Sequence, residues 1–245
     1  MPTATKTLTF LSSFLTSFGA FVVICAVLGT PQWVSSTIAV SDDFSNGSIV
    51  ITYGLFRGQS AQKLTHGLGD ADKDFEELAG MPSGLVLTNV ILVLSELGNS
   101  APKTLHSVVI LSLVISLSTS LLSAGFTFYN SVSNPYQTFL GPLGVYIWSG
   151  LSGSFAFLAL VLFVGNVQAN RLSEVLVQAL YSRYSPATHR GTAHSYGSSF
   201  WLLLLVLLLS IITAVIVVFF QRARRRRRQE QRKPVEQAPR DGILF

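Results

Sequence analysis

The sequence is short of charge and almost free of cysteine. Only 12% of its 245 residues are charged and 49% are hydrophobic, whereas an ordinary soluble domain carries about 25% charged residues. This composition argues against a soluble protein and predicts one embedded in a membrane. Cys25 is the only cysteine, which excludes an intramolecular disulfide. Any part outside the membrane must therefore be held by packing and hydrogen bonds.

Catalytic and metal-binding patterns are lacking as well. The four histidines are scattered, no Cys/His pair has metal-ligand spacing, and the Ser, Asp and His residues of the polar segments form no recognisable catalytic set. An enzyme needs a positioned acid, base, nucleophile or metal. We therefore predict a non-catalytic protein without cofactors.

Four apolar segments are long enough to cross a bilayer, which takes roughly 20 helical residues. They are residues 8–28, 107–129, 145–167 and 200–220. None contains Asp, Glu, Lys, Arg or His, which argues against an ion-coupled transporter, pump or voltage sensor. The segments predict an α-helical membrane protein, a bundle of four transmembrane helices. The first segment has the alternative of a signal peptide, but it exceeds the roughly 7–15 residues of such a core, so we interpret it as an anchor.

The charge that is present is concentrated behind the last apolar segment. Residues 221–245 carry nine Lys/Arg and three Asp/Glu, a net charge of +6, whereas residues 29–106 carry four and eight, a net charge of −4. A basic cluster beside a span marks the cytosolic side, and four crossings then put both termini there. The predicted cytosolic parts are residues 1–7, 130–144 and 221–245, and the predicted extracellular parts are residues 29–106 and 168–199.

The basic cluster comprises Arg222, Arg224, Arg225, Arg226, Arg227 and Arg228. We interpret it as a stop-transfer anchor or as a site that attracts anionic inner-leaflet lipids, at about 1 kcal/mol per basic residue near the surface. Arg222-Ala223-Arg224 also fits an arginine-type retention signal, which would suit an intracellular trafficking adaptor. Because the cluster directly follows a span, we do not expect nucleic acid as a partner.

The last three residues follow the pattern apolar–any residue–apolar. Ile243 and Phe245 are the two apolar positions. Such an end can add as a strand to a PDZ domain. An unengaged end is the alternative.

Two runs rich in β-branched and aromatic residues, 33–40 and 48–56, predict a β-hairpin above the first helix. The turn formers "SDDFSNG" lie between them. Asn46, followed by Gly47-Ser48, starts the only N-glycosylation pattern in the chain. We predict a glycan at Asn46 in an exposed turn. We expect Trp33 to face the outer membrane leaflet and to pin the hairpin to the helix ends.

Residues 81–97 are apolar but contain Asn89 and Glu96. Polar residues recur there at a spacing of seven, which gives a narrow polar stripe on a helix, and Gly98-Asn99 would end that helix. We interpret the segment as a short helix on the outer membrane surface or against the bundle. The alternative, a fifth span, would move residues 29–80 to the cytosol.

Small residues at a spacing of four line one face of the second predicted helix. They are Ser112, Ser116, Ser120 and Ala124. In lipid such rows permit close helix approach, and hydroxyl hydrogen bonds contribute about 0.6–2 kcal/mol each. We predict packing within the bundle, with a homo-oligomer face as the alternative.

Several longer motifs stand at defined places relative to the apolar segments. They are "LGTPQW" (28–33), "YGLFRG" (53–58), "FYNSVSNPYQTFLGPLGVY" (128–146) and "SFW" (199–201). A tryptophan followed by Gly-Leu-aromatic between the first and second of four spans resembles the claudin-like tetraspan superfamily. The whole set resembles the clarin family within it, over nearly the whole chain.

This resemblance implies a four-helix membrane organiser with a small extracellular β-hairpin or sheet. The clarin family is associated with hair cells and photoreceptors, in maintaining membrane specialisations, synapses and actin-rich bundles. The implied partners are the lipid bilayer and other membrane or cortical scaffold proteins at the plasma membrane. The alternative is a claudin-like barrier or channel-forming protein. Claudins, however, carry a cysteine pair after their Gly-Leu-Trp, whereas this loop has Phe56 and no cysteine.

Overall fold

The structure is a computed structural model that describes residues 4–42, 45–66, 87–98, 100–132, 142–180 and 189–236. In chain order the elements are α1 (Ala4–Gly29), β1 (Val34–Asp42), β2 (Ser45–Tyr53), β3 (Arg57–His66), β4 (Leu87–Leu92), α2 (Val93–Glu96), α3 (Ala101–Val132), α4 (Pro142–Gln168), α5 (Leu172–Leu180), β5 (His189–Tyr196) and α6 (Ser198–Glu236). The chain forms two compact units. The bundle unit comprises Met1–Val22, Ile115–Ser154 and Val206–Phe245, and the sheet unit comprises Val23–Val114 and Phe155–Leu205.

Within the described ranges, four helices, α1, α3, α4 and α6, are long and apolar enough to cross a membrane. Each contains one of the four apolar segments of the sequence. The predicted four-helix membrane fold is confirmed. The physical reason is simple, because in lipid a backbone must satisfy its own hydrogen bonds, and a continuous apolar helix does so.

The last helix, α6, continues well past its apolar span. The span ends at Ala223, whereas the helix ends at Glu236. Residues 224–233 are all Arg, Gln, Glu or Lys, which are good helix formers. The basic tail is therefore helical over much of its length, a feature that its charge alone did not indicate.

Among the described residues, five strands form one antiparallel sheet in the order β4-β3-β2-β1-β5. The predicted hairpin is its β1–β2 pair, which runs from Val34 opposite Tyr53 to Asp42 opposite Ser45. Strand β5 pairs with β1 on one side, and β3 and β4 continue the sheet on the other. The predicted small sheet is confirmed, although β3 and β5 are polar strands without the alternation that identifies strands in a sequence.

Residues 87–92 form strand β4 and not the predicted helix. They pair with β3 from Arg57 opposite Leu92 to Gln62 opposite Leu87, and only Val93–Glu96 are helical. The interpretation as a helix, and with it a fifth span through these residues, is wrong. Residues 81–86 of that prediction lie outside the described residues. The β-branched and aliphatic side chains here suit a strand once a partner strand supplies the hydrogen bonds.

The glycosylation pattern lies in strand β2 and not in the hairpin turn. Asn46 stands opposite Ser41 of β1 and Thr65 of β3, so the predicted placement in a turn is wrong. Pairing on both sides overrides the weak strand preference of Asn and Gly. The position is still beside the end of the hairpin, one residue after the pair of Asp42 and Ser45.

Candidate functional site

Trp33 stands at the start of β1 and is completely buried. Its indole Nε1–H donates to the carbonyl oxygen of Val27 at 2.9 Å, one of the last carbonyls of α1 that lack a partner within the helix. The ring packs on Phe163 of α4 with the centroids 4.7 Å apart. The expectation that Trp33 faces the membrane leaflet is therefore wrong. Trp33 does pin the sheet to helix ends, but from inside the protein.

The turn between β2 and β3 packs against the segment that joins α1 to β1. The Gly54 N–H donates to the Arg57 carbonyl at 2.8 Å and closes the turn. A Cβ at Gly54 would collide with the Thr30 carbonyl oxygen and lie 2.7 Å from the Cα of Pro31. Only glycine allows this approach of two backbones, which explains the glycine of the "YGLFRG" motif.

His106, near the start of α3, holds that turn from another side. Its Nε2 lies 2.8 Å from the Leu55 carbonyl oxygen, and because a carbonyl only accepts, Nε2 is the donor. The ring is completely buried and lies 6.4 Å from the Phe163 ring between centroids. Within the described part of the chain its Nδ1 is buried without a hydrogen-bond partner. The sequence contained no signal for this histidine.

Gly197, which follows strand β5, packs against the backbone of Gln32 and Trp33. Its N–H donates to the Trp33 carbonyl at 2.9 Å, and the Ser199 N–H donates to the Gln32 carbonyl at 3.1 Å. A Cβ at Gly197 would collide with the Gln32 carbonyl oxygen. We call the contacts of Trp33, Gly54, His106 and Gly197 the junction. It joins the sheet to the ends of four helices that lie within the sheet unit.

A chain of hydrogen bonds holds α5 against the sheet. The Ser173 hydroxyl lies 2.8 Å from the Tyr53 hydroxyl and 2.8 Å from the Ser36 hydroxyl. The Ser36 hydroxyl in turn lies 2.8 Å from Nδ1 of His194. The first three residues are completely buried, and His194 is exposed. Burial raises the pKa of the Tyr53 phenol above its ordinary value, so the hydroxyl remains able to donate in alkaline solution as well as at neutral pH.

Hydroxyl side chains from α1, α3, α4 and α6 meet inside the bundle unit. Pairs of these residues bridge neighbouring helices, and we call them the hydroxyl layer. They include Ser116 with Ser152, Ser120 with Ser17, Ser123 with Ser17, Ser149 with Ser210, and Thr16 with Thr213. Ser116 and Ser152 exchange two bonds, because each hydroxyl donates to the other's main-chain carbonyl, at 2.8 and 3.1 Å. The space between the hydroxyls is too small for a water molecule.

The row of small residues on α3 is divided in its contacts. Ser116 and Ser120 reach other helices, and Ala124 is buried. Ser112 instead donates to the Val108 carbonyl of its own helix at 2.8 Å. That the row determines helix packing stays a prediction, and these contacts say where to test it.

The remaining sequence-predicted residues are in the tail. Arg222, Arg225 and Arg226 are exposed on α6. Arg224, Arg227 and Arg228 belong to the same helical stretch. Ile243 and Phe245 lie outside the described residues, so the predicted PDZ contact stays a prediction.

The family model and the similar proteins found by comparison are all clarins. The model of the Clarin-2-like family matches residues 4–218. The chain is 61% identical to Clarin-3 of Homo sapiens and 59% identical to Clarin-3 of Mus musculus, in each case over 100% of both chains. It is 27% identical to Clarin-1 of Mus musculus over 82% of each chain. The likeness thus includes the sheet unit as well as the helices.

Proposed function

The chain belongs to the clarin family, and from that premise we propose that it is a non-catalytic organiser of membrane architecture. In this role it assembles other membrane proteins in the plasma membrane and links them to cortical scaffold proteins. We include in the proposal the family's association with sensory cells, their membrane specialisations and their actin-rich bundles. Both termini then lie in the cytosol, where the basic tail meets anionic lipids.

The hydroxyl layer of the bundle unit is the observation that carries this proposal. Pairs such as Ser116 with Ser152 and Ser149 with Ser210 join neighbouring helices through main-chain carbonyls. The four apolar segments contain no ionisable side chain, and carriers and pumps depend on such groups. A closed bundle of this kind suits a platform better than a transport path.

The sheet unit supports a recognition role on the outer face. The junction fixes the sheet through backbone contacts at Gly54 and Gly197, and so does without a disulfide. The end of the β1–β2 hairpin carries the Asn46 pattern. We propose that Asn46 is glycosylated and that the sheet faces outward.

The orientation has a direct test on the expressed protein. Glycosidase treatment should increase the gel mobility of the wild type and leave Asn46→Gln unchanged. Ser48→Thr, which keeps the acceptor pattern, is the matched control and should behave as the wild type. A tag at position 46 that proves accessible only from the cytosol would overturn the orientation.

The organising role is tested against the claudin-like alternative in confluent epithelial monolayers. With the protein expressed, we expect the ion conductance across the monolayer to stay at the level of the control, while the density of cortical actin at sites of the protein changes. A barrier or channel-forming protein predicts the reverse, a changed conductance with unchanged actin. That reverse result would overturn the proposal.

A further inference from the structure

We propose that the arginines of α6, from Arg222 to Arg228, form a collar that binds multiply phosphorylated lipid headgroups. The inference rests on the proposed cytosolic position of the tail for its location in the inner leaflet. It goes beyond general attraction to anionic lipid, because it specifies where on the helix the headgroups bind and which headgroup chemistry is preferred.

The first argument is the continuity of the helix. The uncharged apolar segment of α6 ends at Phe220, and the helix continues without interruption to Glu236. At 1.5 Å per residue, the six steps from Arg222 to Arg228 cover about 9 Å along the axis. The headgroup region on each side of a bilayer is about 5–8 Å thick. Phe219, three residues before the first arginine, is 66% exposed, as a side chain in the acyl region would be. The arginines therefore fall in the headgroup layer.

The second argument is the distribution of charge around the helix. At about 100° per residue, the six arginine positions leave no gap wider than about 100° around the axis. Between Gln221 and Glu236 the apolar residues are only Ala223, Pro234 and Val235. A helix that lies flat on a membrane needs an apolar face to bury, and this stretch has none. The helix therefore has no apolar face to lie on, and its arginine positions are spread around the axis.

The third argument is the chemistry of the cations. All six basic residues of the collar are arginines, and residues 221–229 contain no acidic residue. Guanidinium forms two parallel hydrogen bonds to a phosphate, whereas the lysine ammonium acts as a point charge. The side chains of Arg222, Arg225 and Arg226 are exposed. A headgroup that carries several phosphates can accept from two such arginines at once, which a headgroup with a single carboxylate and a diester cannot match.

The test uses the full chain in phosphatidylcholine vesicles that contain either phosphatidylserine or phosphatidylinositol bisphosphate at matched headgroup charge. A dye at the C-terminus reports, by energy transfer, the local enrichment of each labelled lipid. We expect roughly fivefold greater enrichment of the bisphosphate lipid. Replacement of all six collar arginines by lysine keeps the charge and should bring the ratio to about one. Equal enrichment in the wild type, or a preference that survives in the lysine variant, would overturn the proposal.

A matched pair of double variants tests the position of the collar. Arg225→Gln with Arg226→Gln removes two charges inside the collar, and Arg232→Gln with Lys233→Gln removes two charges about 9 Å or more farther along the axis. We expect the first pair to lower the enrichment of the bisphosphate lipid about threefold and the second to leave it unchanged. Equal losses of enrichment in the two double variants would mean that only total charge matters and would overturn the proposed position of the collar.

Failure of this inference can be told from failure of the proposed orientation. The vesicles have the same lipids in both leaflets, so the lipid preference is measured whichever way the protein inserts. Orientation is read separately in cells, from protease access to a C-terminal tag. A cytosolic tail without lipid preference overturns the collar alone. An outward tail with intact preference overturns the inner-leaflet location together with the orientation, and leaves the headgroup chemistry standing.

Discussion

Each of the two units has its own kind of internal contact. In the junction of the sheet unit, the backbone at Gly54 touches Thr30 and Pro31 with no space for a side chain. Trp33 there contacts both the Val27 carbonyl and the Phe163 ring. In the bundle unit, the hydroxyl layer distributes similar bonds over several pairs of helices. A structure that depends on a few contacts without substitutes is sensitive to single changes, whereas one that depends on many weak bonds tolerates them. Four predictions test this contrast.

Gly54→Ala should have the largest effect. Its new methyl group would overlap the backbone of Thr30 and Pro31, which cannot rotate away as a side chain could. We expect the free energy of unfolding of the sheet unit to fall by about 3 kcal/mol or more. Unfolding in mixed detergent micelles, followed by tryptophan fluorescence, measures this loss because Trp33 is buried beside the turn.

The control for that prediction is another glycine of the same sheet. Among the described residues, no atom lies within 4 Å of a Cβ built at Gly191. Gly191→Ala should therefore change the free energy of unfolding by no more than about 0.5 kcal/mol. If the two alanine variants lost equal stability, the close backbone contact at Gly54 would not be what holds the junction.

Trp33→Phe should have the second largest effect. The phenyl ring lacks the N–H that donates to Val27, whose carbonyl then keeps only a 3.4 Å contact from the Thr30 hydroxyl. The smaller ring also leaves a gap beside Phe163. Together these losses should cost about 2 kcal/mol.

A second tryptophan supplies the comparison. Trp201 on α6 is 60% exposed, so Trp201→Phe should cost less than about 0.5 kcal/mol. The same unfolding assay, read by circular dichroism so that loss of one tryptophan does not affect the signal, compares both variants. A Trp33→Phe variant as stable as Trp201→Phe would show that the junction tolerates change as the bundle does.

The helices could be predicted from the sequence because apolar length is a local property. The β1–β2 hairpin was also accessible, since its strands are β-branched and close in sequence. Strand β5 was not, because its pairing with β1 joins Val34 to Tyr196 across most of the chain, and "HRGTAHSY" has no strand pattern of its own. Non-local hydrogen bonds decided its structure.

The junction shows the same limit at the level of single residues. The motif identified Trp33, yet a tryptophan beside a span fits the membrane interface as well as a buried site. Only the positions of Phe163 and the Val27 carbonyl distinguish the two. His106 carried no signal at all, because its partner is a main-chain carbonyl, which every residue possesses.

Tyr53→Phe should have an intermediate effect on the sheet unit. The variant keeps the ring and removes the hydroxyl that bonds Ser173. Ser173 retains its bond to Ser36, so the loss should be about 1 kcal/mol. Tyr146→Phe, at a position 48% exposed on α4, is the matched control and should be close to neutral. A cost as large as that of Trp33→Phe would mean that the chain of hydrogen bonds under the sheet is as irreplaceable as the junction.

Ser116→Ala in the hydroxyl layer should have the smallest effect. It removes the bond that the Ser116 hydroxyl donates to the Ser152 carbonyl and leaves the reverse bond in place, because alanine keeps its main-chain carbonyl. Hydrogen bonds between membrane helices average about 0.6 kcal/mol, because the polar groups find other partners when the helices separate. We expect a loss of that size in the free energy of unfolding. Ser154→Ala, which loses only a bond to the Gly150 carbonyl of its own helix, is the matched control and should be close to neutral. If Ser116→Ala instead cost about 2 kcal/mol, as much as Trp33→Phe, the hydroxyl layer would be a second set of irreplaceable contacts. The contrast between the units would then be one of chemistry alone and not of tolerance to change.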